Sequence, residues 1–140
     1  MRLVWRRITP AEFNHELVWL AVSVAAALGG TIWLGLGLPL PRCPFLEITG
    51  YPCLTCGATR CSIALLHGHF FAAWLWNPLA FVALCGLALY DLYALIVLLA
   101  GLPRLRLTDW TSVERNAARI GVIALIAVNW IYLIAHHGRY

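Results

Sequence analysis

Apolar and charged positions separate along most of this chain into long blocks. The first block, from 17 to about 38, carries no charge and no polar stripe. A helix built on it is apolar all round, and at roughly 20 residues it has the length of a membrane span. Trp19 and Trp33 stand near its ends, as interfacial anchors do. Ala21, Ala25 and Gly29 recur at every fourth position and give a face on which a neighbouring helix can come close. Gly35, Gly37, Pro39 and Pro41 then stop the helix. Ala25-Ala26-Ala27 behind a basic flank resembles a signal-peptide cleavage site, but apolar character continues to Leu38, which fits an uncleaved anchor.

The second block runs from 63 to 102 with few interruptions, and two readings compete. In one, 58–67 and 70–76 are short pieces in or dipping into the interface, and the span begins at Asn77-Pro78. In the other, 61–76 is a fourth span and Asn77-Pro78 a tight turn. A fourth span would be only about 16 residues long, with His67, Gly68 and His69 near its middle, both unfavourable in hydrocarbon. The first reading is adopted. Pro78 suits a helix start, where its missing N–H has no partner to lose. The third block follows Thr111-Ser112-Val113-Glu114, a capping box, and continues past Arg115 and Arg119 to about Ala135, with Trp130 and Tyr132 near its far end. The pattern predicts an all-α membrane protein. It has three transmembrane helices, about 17–38, 78–102 and 116–135, and a short broken interfacial or re-entrant helix after a cysteine-containing loop, the two together covering 42–77. The whole reads as a single membrane domain, 1–140.

Composition agrees. The 140 residues are 62% hydrophobic and 11% charged, far too apolar for one small water-soluble core or for a disordered chain. The net charge of +4 comes from ten arginines, no lysine and six acids. With three spans, Arg2, Arg6, Arg7, Arg104, Arg106, Arg115 and Arg119 share one side, and Arg42, Arg60 and Arg139 the other. The positive-inside rule then puts the N-terminus in the cytoplasm, and the cysteine loop and C-terminus outside. The arginines form no single solvated cluster in the sequence, so they read as topology signals, and nucleic acid is not an expected partner. The lipid bilayer is.

The chemistry concentrates between Cys43 and Arg60, which hold Cys43, Cys53 and Cys56, the last two as Cys-x-x-Cys. Gly50, Pro52 and Gly57 are turn-makers that should fold Cys43 back towards the pair. A helix starting after Cys56, together with the Arg60 guanidinium, would favour thiolate at Cys53 or Cys56. Three chemistries fit. A disulfide clasp would pin the outer loop in an oxidising compartment. A zinc site would use Cys43, Cys53 and Cys56 with Cys61, His67 or His69 as fourth ligand. A redox site would exchange disulfides through Cys53 and Cys56, with Arg60 tuning the thiolate and a quinone as electron acceptor. The structural readings, clasp or metal, are favoured over exchange.

Cys43-Pro44-Phe45, Thr49-Gly50-Tyr51-Pro52-Cys53, Cys56-Gly57-Ala58-Thr59-Arg60, Leu65-Leu66-His67-Gly68 and Asn77-Pro78, in this order and spacing, resemble the small bacterial membrane proteins catalogued as domain of unknown function 2752. The resemblance covers roughly residues 43–84 and departs at Leu54-Thr55, where the family often has proline after the first cysteine of the pair. It implies a multi-pass membrane protein of the bacterial inner membrane, with Gly50, Pro52, Gly57, Thr59, Arg60, Asn77 and Pro78 in the motif. It implies no activity, and neither histidine belongs to its pattern.

Asp91 is the acid inside an apolar run and should face protein, with Asn129 or Tyr132 as partner. It reads as a helix–helix contact ahead of a proton relay, because no second polar line continues from it. No P-loop, dinucleotide fingerprint, zincin motif or Ser/His/Asp set is present. The favoured function is therefore an interaction or accessory subunit of a larger membrane complex rather than an enzyme. The alternative is a membrane thiol-disulfide oxidoreductase using Cys53 and Cys56.

Overall fold

A computed structural model describes residues 2–6, 14–39, 43–101, 104–108, 111–136 and 138, of which 2–6 and 104–108 by their backbone alone. Arg7, Arg42, His137 and Arg139, and the expected span end at Leu102, lie outside the described residues. The elements run β1 (Arg2–Arg6), α1 (His15–Gly35), α2 (Pro44–Thr49), α3 (Ala58–Leu66), α4 (Phe70–Trp76), α5 (Pro78–Ala100), β2 (Arg104–Thr108) and α6 (Ser112–Ala135). Three of them, α1, α5 and α6, are long and apolar enough to cross a membrane. The protein is a multi-pass membrane protein.

Each long helix begins where its sequence offers a cap. The Asn14 side chain accepts from Leu17 N at 3.1 Å and opens α1. The capping box forms at α6: Glu114 N donates to Thr111 Oγ1 at 3.2 Å, and Thr111 N donates to Glu114 Oε2 at 3.1 Å. Helix α1 ends at Gly35, earlier than the apolar block does, because the chain turns through Gly37 at φ 65°. Leu28, Leu99 and Ile123 are 58%, 80% and 66% exposed. In water each would forfeit about 1.5–3 kcal/mol of burial, whereas lipid supplies an apolar surround from outside the chain.

Two compact units divide the chain. The first is Met1–Leu40 with Leu87–Glu114, and the second is Pro41–Gly86 with Arg115–Tyr140. In the first, Ala94, Val97 and Glu16 are buried. Nothing lies within 4 Å of a Cβ built at Gly29, so the small-residue face of α1 has open space at this position instead of the close neighbour that its spacing allows. The same unit contains an antiparallel two-stranded ribbon, β1 against β2, which the helical reading of the sequence does not anticipate. Each segment alternates for only five residues, and its partner lies far away along the chain. In the second unit, Pro52, Cys56, Cys61, Ala73, Asn77, Asn129 and Leu133 are buried. The helix break expected over 57–76 is observed as α3 and α4, separated by a turn at Gly68 with φ 74°.

Candidate functional site

The site grows from two glycine turns. Gly50 closes α2 at φ 73° and Gly57 opens α3 at φ 79°, left-handed conformations that a residue with a Cβ reaches only with strain. Between them, Pro52 is fully buried and the chain makes two overlapping turns, with Cys56 N on Cys53 O at 3.1 Å and Ala58 N on Thr55 O at 3.0 Å. Cys43 stands at the N-cap of α2, where Pro44 starts the helix. The fold-back expected from the turn residues thus brings the three cysteines together.

Cys53 Sγ lies 3.2 Å from Cys43 Sγ and 3.4 Å from Cys56 Sγ, and all three sulfurs are within 4.8 Å of one another. Cys43 and Cys53 are half-buried and Cys56 is buried. Cys53 N donates to Cys56 Sγ at 3.2 Å. Burial opposes ionisation of Cys53, but hydrogen bonds from Thr55 (Oγ1 at 3.4 Å), Cys43 and Cys56 outweigh it and hold the thiol at about 7. At Cys56, burial and the neighbouring Cys53 push the thiol up to about 12. A chelated zinc wants sulfurs about 3.8 Å apart, and a disulfide wants them about 2 Å apart. The observed spacing lies between the two and admits either with a small adjustment.

The other candidate ligands stand apart from this cluster. Cys61 is fully buried on α3, where burial and then Cys85 push its thiol up. His67 Nδ1 lies 2.8 Å from Ile63 O of its own helix, and the ring stacks with His69 at 6.4 Å between centroids. Among the described residues, the cluster of metal-ligating types holds Cys43, Cys53 and Cys56, without Cys61, His67 or His69. The Arg60 guanidinium lies 4.7 Å from the centroid of the Trp76 ring, a cation–π contact that ties α3 to α4. The hydrogen bonds that lower Cys53 come from Thr55, Cys43 and Cys56 rather than from Arg60. Thr59 sits exposed on the first turn of α3.

Asn77 is the hinge of the site. Only 1% exposed, it donates through Nδ2 to Leu54 O at 3.2 Å and Cys56 O at 3.0 Å, and its Oδ1 accepts from Ala80 N at 3.0 Å. One side chain therefore caps α5 and holds the cysteine turn by its backbone, with Pro78 in the first turn of the helix. Helix α6 adds three more clamps. Asn129 Oδ1 accepts from Leu79 N at 3.1 Å, Trp130 Nε1 donates to Pro52 O at 3.1 Å, and Tyr132 OH donates to Leu75 O at 3.0 Å.

Asn129 Oδ1 and Tyr132 OH are thus engaged by backbone groups of α5 and α4, while Asn129 Nδ2 is buried without a hydrogen-bond partner. The breaks at Pro52, Trp76 and Pro78 free backbone groups that would be costly in an apolar surround, and the polar ends of α6 satisfy them. Asp91 Oδ1 is buried without a hydrogen-bond partner. The signal for the clamps was a polar triplet, Asn129, Trp130 and Tyr132, within four positions at the end of an apolar helix.

Residues 43–90 match the family described as "Protein of unknown function (DUF2752)". The DUF2752 stretch begins at the first sulfur of the cluster and takes in both glycine turns, the broken helices and Asn77-Pro78. It thus supports the resemblance read from the motif residues. No curated protein and no solved structure matches the chain.

Proposed function

We propose that this is an accessory subunit of a larger complex in the bacterial inner membrane, and that Cys43, Cys53 and Cys56 form a structural clasp on its outer face. The observation that carries the reading is the three-sulfur cluster on a turn whose backbone is already fixed by Asn77, Trp130 and the two glycines. A cluster so braced is pre-formed for closure, either as a disulfide through Cys53 or around zinc held by the three thiolates with a fourth ligand from outside the cluster. The N-terminus is cytoplasmic and the clasp periplasmic, following the distribution of the arginines. In that compartment a disulfide persists.

Metal analysis and thiol counting on gently purified protein test the clasp. One zinc per chain, lost on Cys53→Ser, or one disulfide through Cys53 is the expected result, with a lower unfolding temperature in the Cys53→Ser protein. All five thiols free, no zinc and an unchanged unfolding temperature would overturn it. Co-purification of a companion protein in mild detergent tests the accessory role, and a stable lone monomer would count against it.

The second reading, thiol-disulfide exchange, is favoured by one specific asymmetry: Cys53 is half-exposed and flanked by two sulfurs, while Cys56 is buried. In that reaction a Cys53–Cys56 disulfide oxidises a substrate dithiol to a disulfide and becomes a dithiol itself. A quinone then accepts the two electrons and two protons as the pair closes again. Mixed disulfides trapped on Cys53 in a Cys56→Ser protein would support exchange over the clasp.

A further inference from the structure

The antiparallel register of β1 and β2 pairs Arg2 with Thr108, Val4 with Arg106 and Arg6 with Arg104. Between these come Leu3 with Leu107 and Trp5 with Leu105. Paired residues in a ladder belong to the same face, and successive residues to opposite faces. Positions 2, 4, 6, 104, 106 and 108 therefore make one face, with arginine at four of the six. Positions 3, 5, 105 and 107 make the other, and every one of them is Leu or Trp. The pairing gathers onto one face four arginines that look dispersed along the sequence.

Connectivity keeps this ribbon beside the membrane boundary. β2 lies between the end of α5 at Ala100 and the start of α6 at Ser112, and β1 precedes α1, which starts at His15. Four like charges on one small face call for an anionic counter-surface, and an apolar opposite face calls for hydrocarbon. A layer of lipid phosphates over acyl chains offers both, one above the other. Neither strand contains an acid that could neutralise the arginines within the ribbon. Arginine also suits phosphate better than lysine does, because its planar fork meets two oxygens at once.

We infer that the β1–β2 ribbon is an interfacial element whose arginine face binds the phosphates of anionic lipids. It is independent of the cysteine clasp, which belongs to the other unit.

The test uses the full chain in nanodiscs of phosphatidylcholine with a minority of phosphatidylglycerol, symmetric bilayers in which insertion direction does not matter. Lipids retained on the released protein are counted by native mass spectrometry. The wild-type chain is expected to enrich phosphatidylglycerol over phosphatidylcholine, and added salt to reduce the enrichment. R2Q/R6Q/R104Q/R106Q should lower it at least ~5-fold, the factor equivalent to a single basic group at an anionic surface. R115Q/R119Q, on α6, should retain most of it. Absence of enrichment in the wild type, insensitivity to salt, or equal loss in the two variants would overturn the inference. The salt titration on wild-type protein decides the matter even where the fourfold variant fails to fold.

Discussion

At the scale of single residues, the three clustered thiols are not equivalent. Thr55 and two neighbouring sulfurs outweigh burial at Cys53 and hold its thiol at about 7, while burial pushes Cys56 up to about 12. A lowered pKa means that the thiolate of Cys53 is populated above about pH 7 and lost below it, and Cys56 stays protonated throughout the neutral range. In reduced, chelator-treated protein, iodoacetamide should modify Cys53 first, at a rate that climbs through pH 7, and leave Cys56 unmodified until the chain unfolds. Peptide mapping after timed labelling checks this, and Thr55→Val should move the climb to higher pH. Equal labelling of the two cysteines would show that the asymmetry is absent in solution.

At the scale of elements, Asn77 joins α4, α5 and the cysteine turn, since its backbone N–H closes α4 on Ala73 O while its side chain caps α5 and grips two carbonyls. Asn77→Ala removes a cap worth about 1 kcal/mol. It also strands buried carbonyls, at about 1–3 kcal/mol for a group left unsatisfied. Its unfolding temperature in detergent should fall clearly, by circular dichroism. Asn77→Asp separates the two roles, because a carboxylate still accepts from Ala80 N but can donate nothing to Leu54 O and Cys56 O. The Asp protein should therefore be destabilised too. A wild-type melting curve from it would mean that the donated bonds carry no weight.

At the scale of the whole molecule, α1, α5 and α6 are long and apolar enough to use lipid as their solvent, and their exposed leucines and isoleucines fit that surround. The proposed orientation is tested by reporter fusions after Leu38, Leu102 and Tyr140, which should read outside, inside and outside. A cytoplasmic signal from the first would reverse the orientation and remove the oxidising compartment from the clasp. Long apolar helices were legible from sequence because a span must satisfy its own backbone within one contiguous segment. The broken pieces α3 and α4 were legible too, through His67-Gly68-His69 and Asn77-Pro78, which interrupt any continuous helix.

The amino-acid order alone thus determined what depends on neighbours along the chain: three spans, the capping box at Thr111–Glu114, the glycine turns, and the fold-back that gathers Cys43, Cys53 and Cys56. Tertiary structure decided what depends on pairings between distant segments. Only it assigned Asn129, Trp130 and Tyr132 to backbone groups at Leu79, Pro52 and Leu75, left Asp91 Oδ1 without a partner, and set β1 against β2 in a register that sorts arginine from leucine. The reason is physical: a hydrogen bond between segments far apart leaves no period in the sequence, because either partner satisfies its local rules equally well without the other.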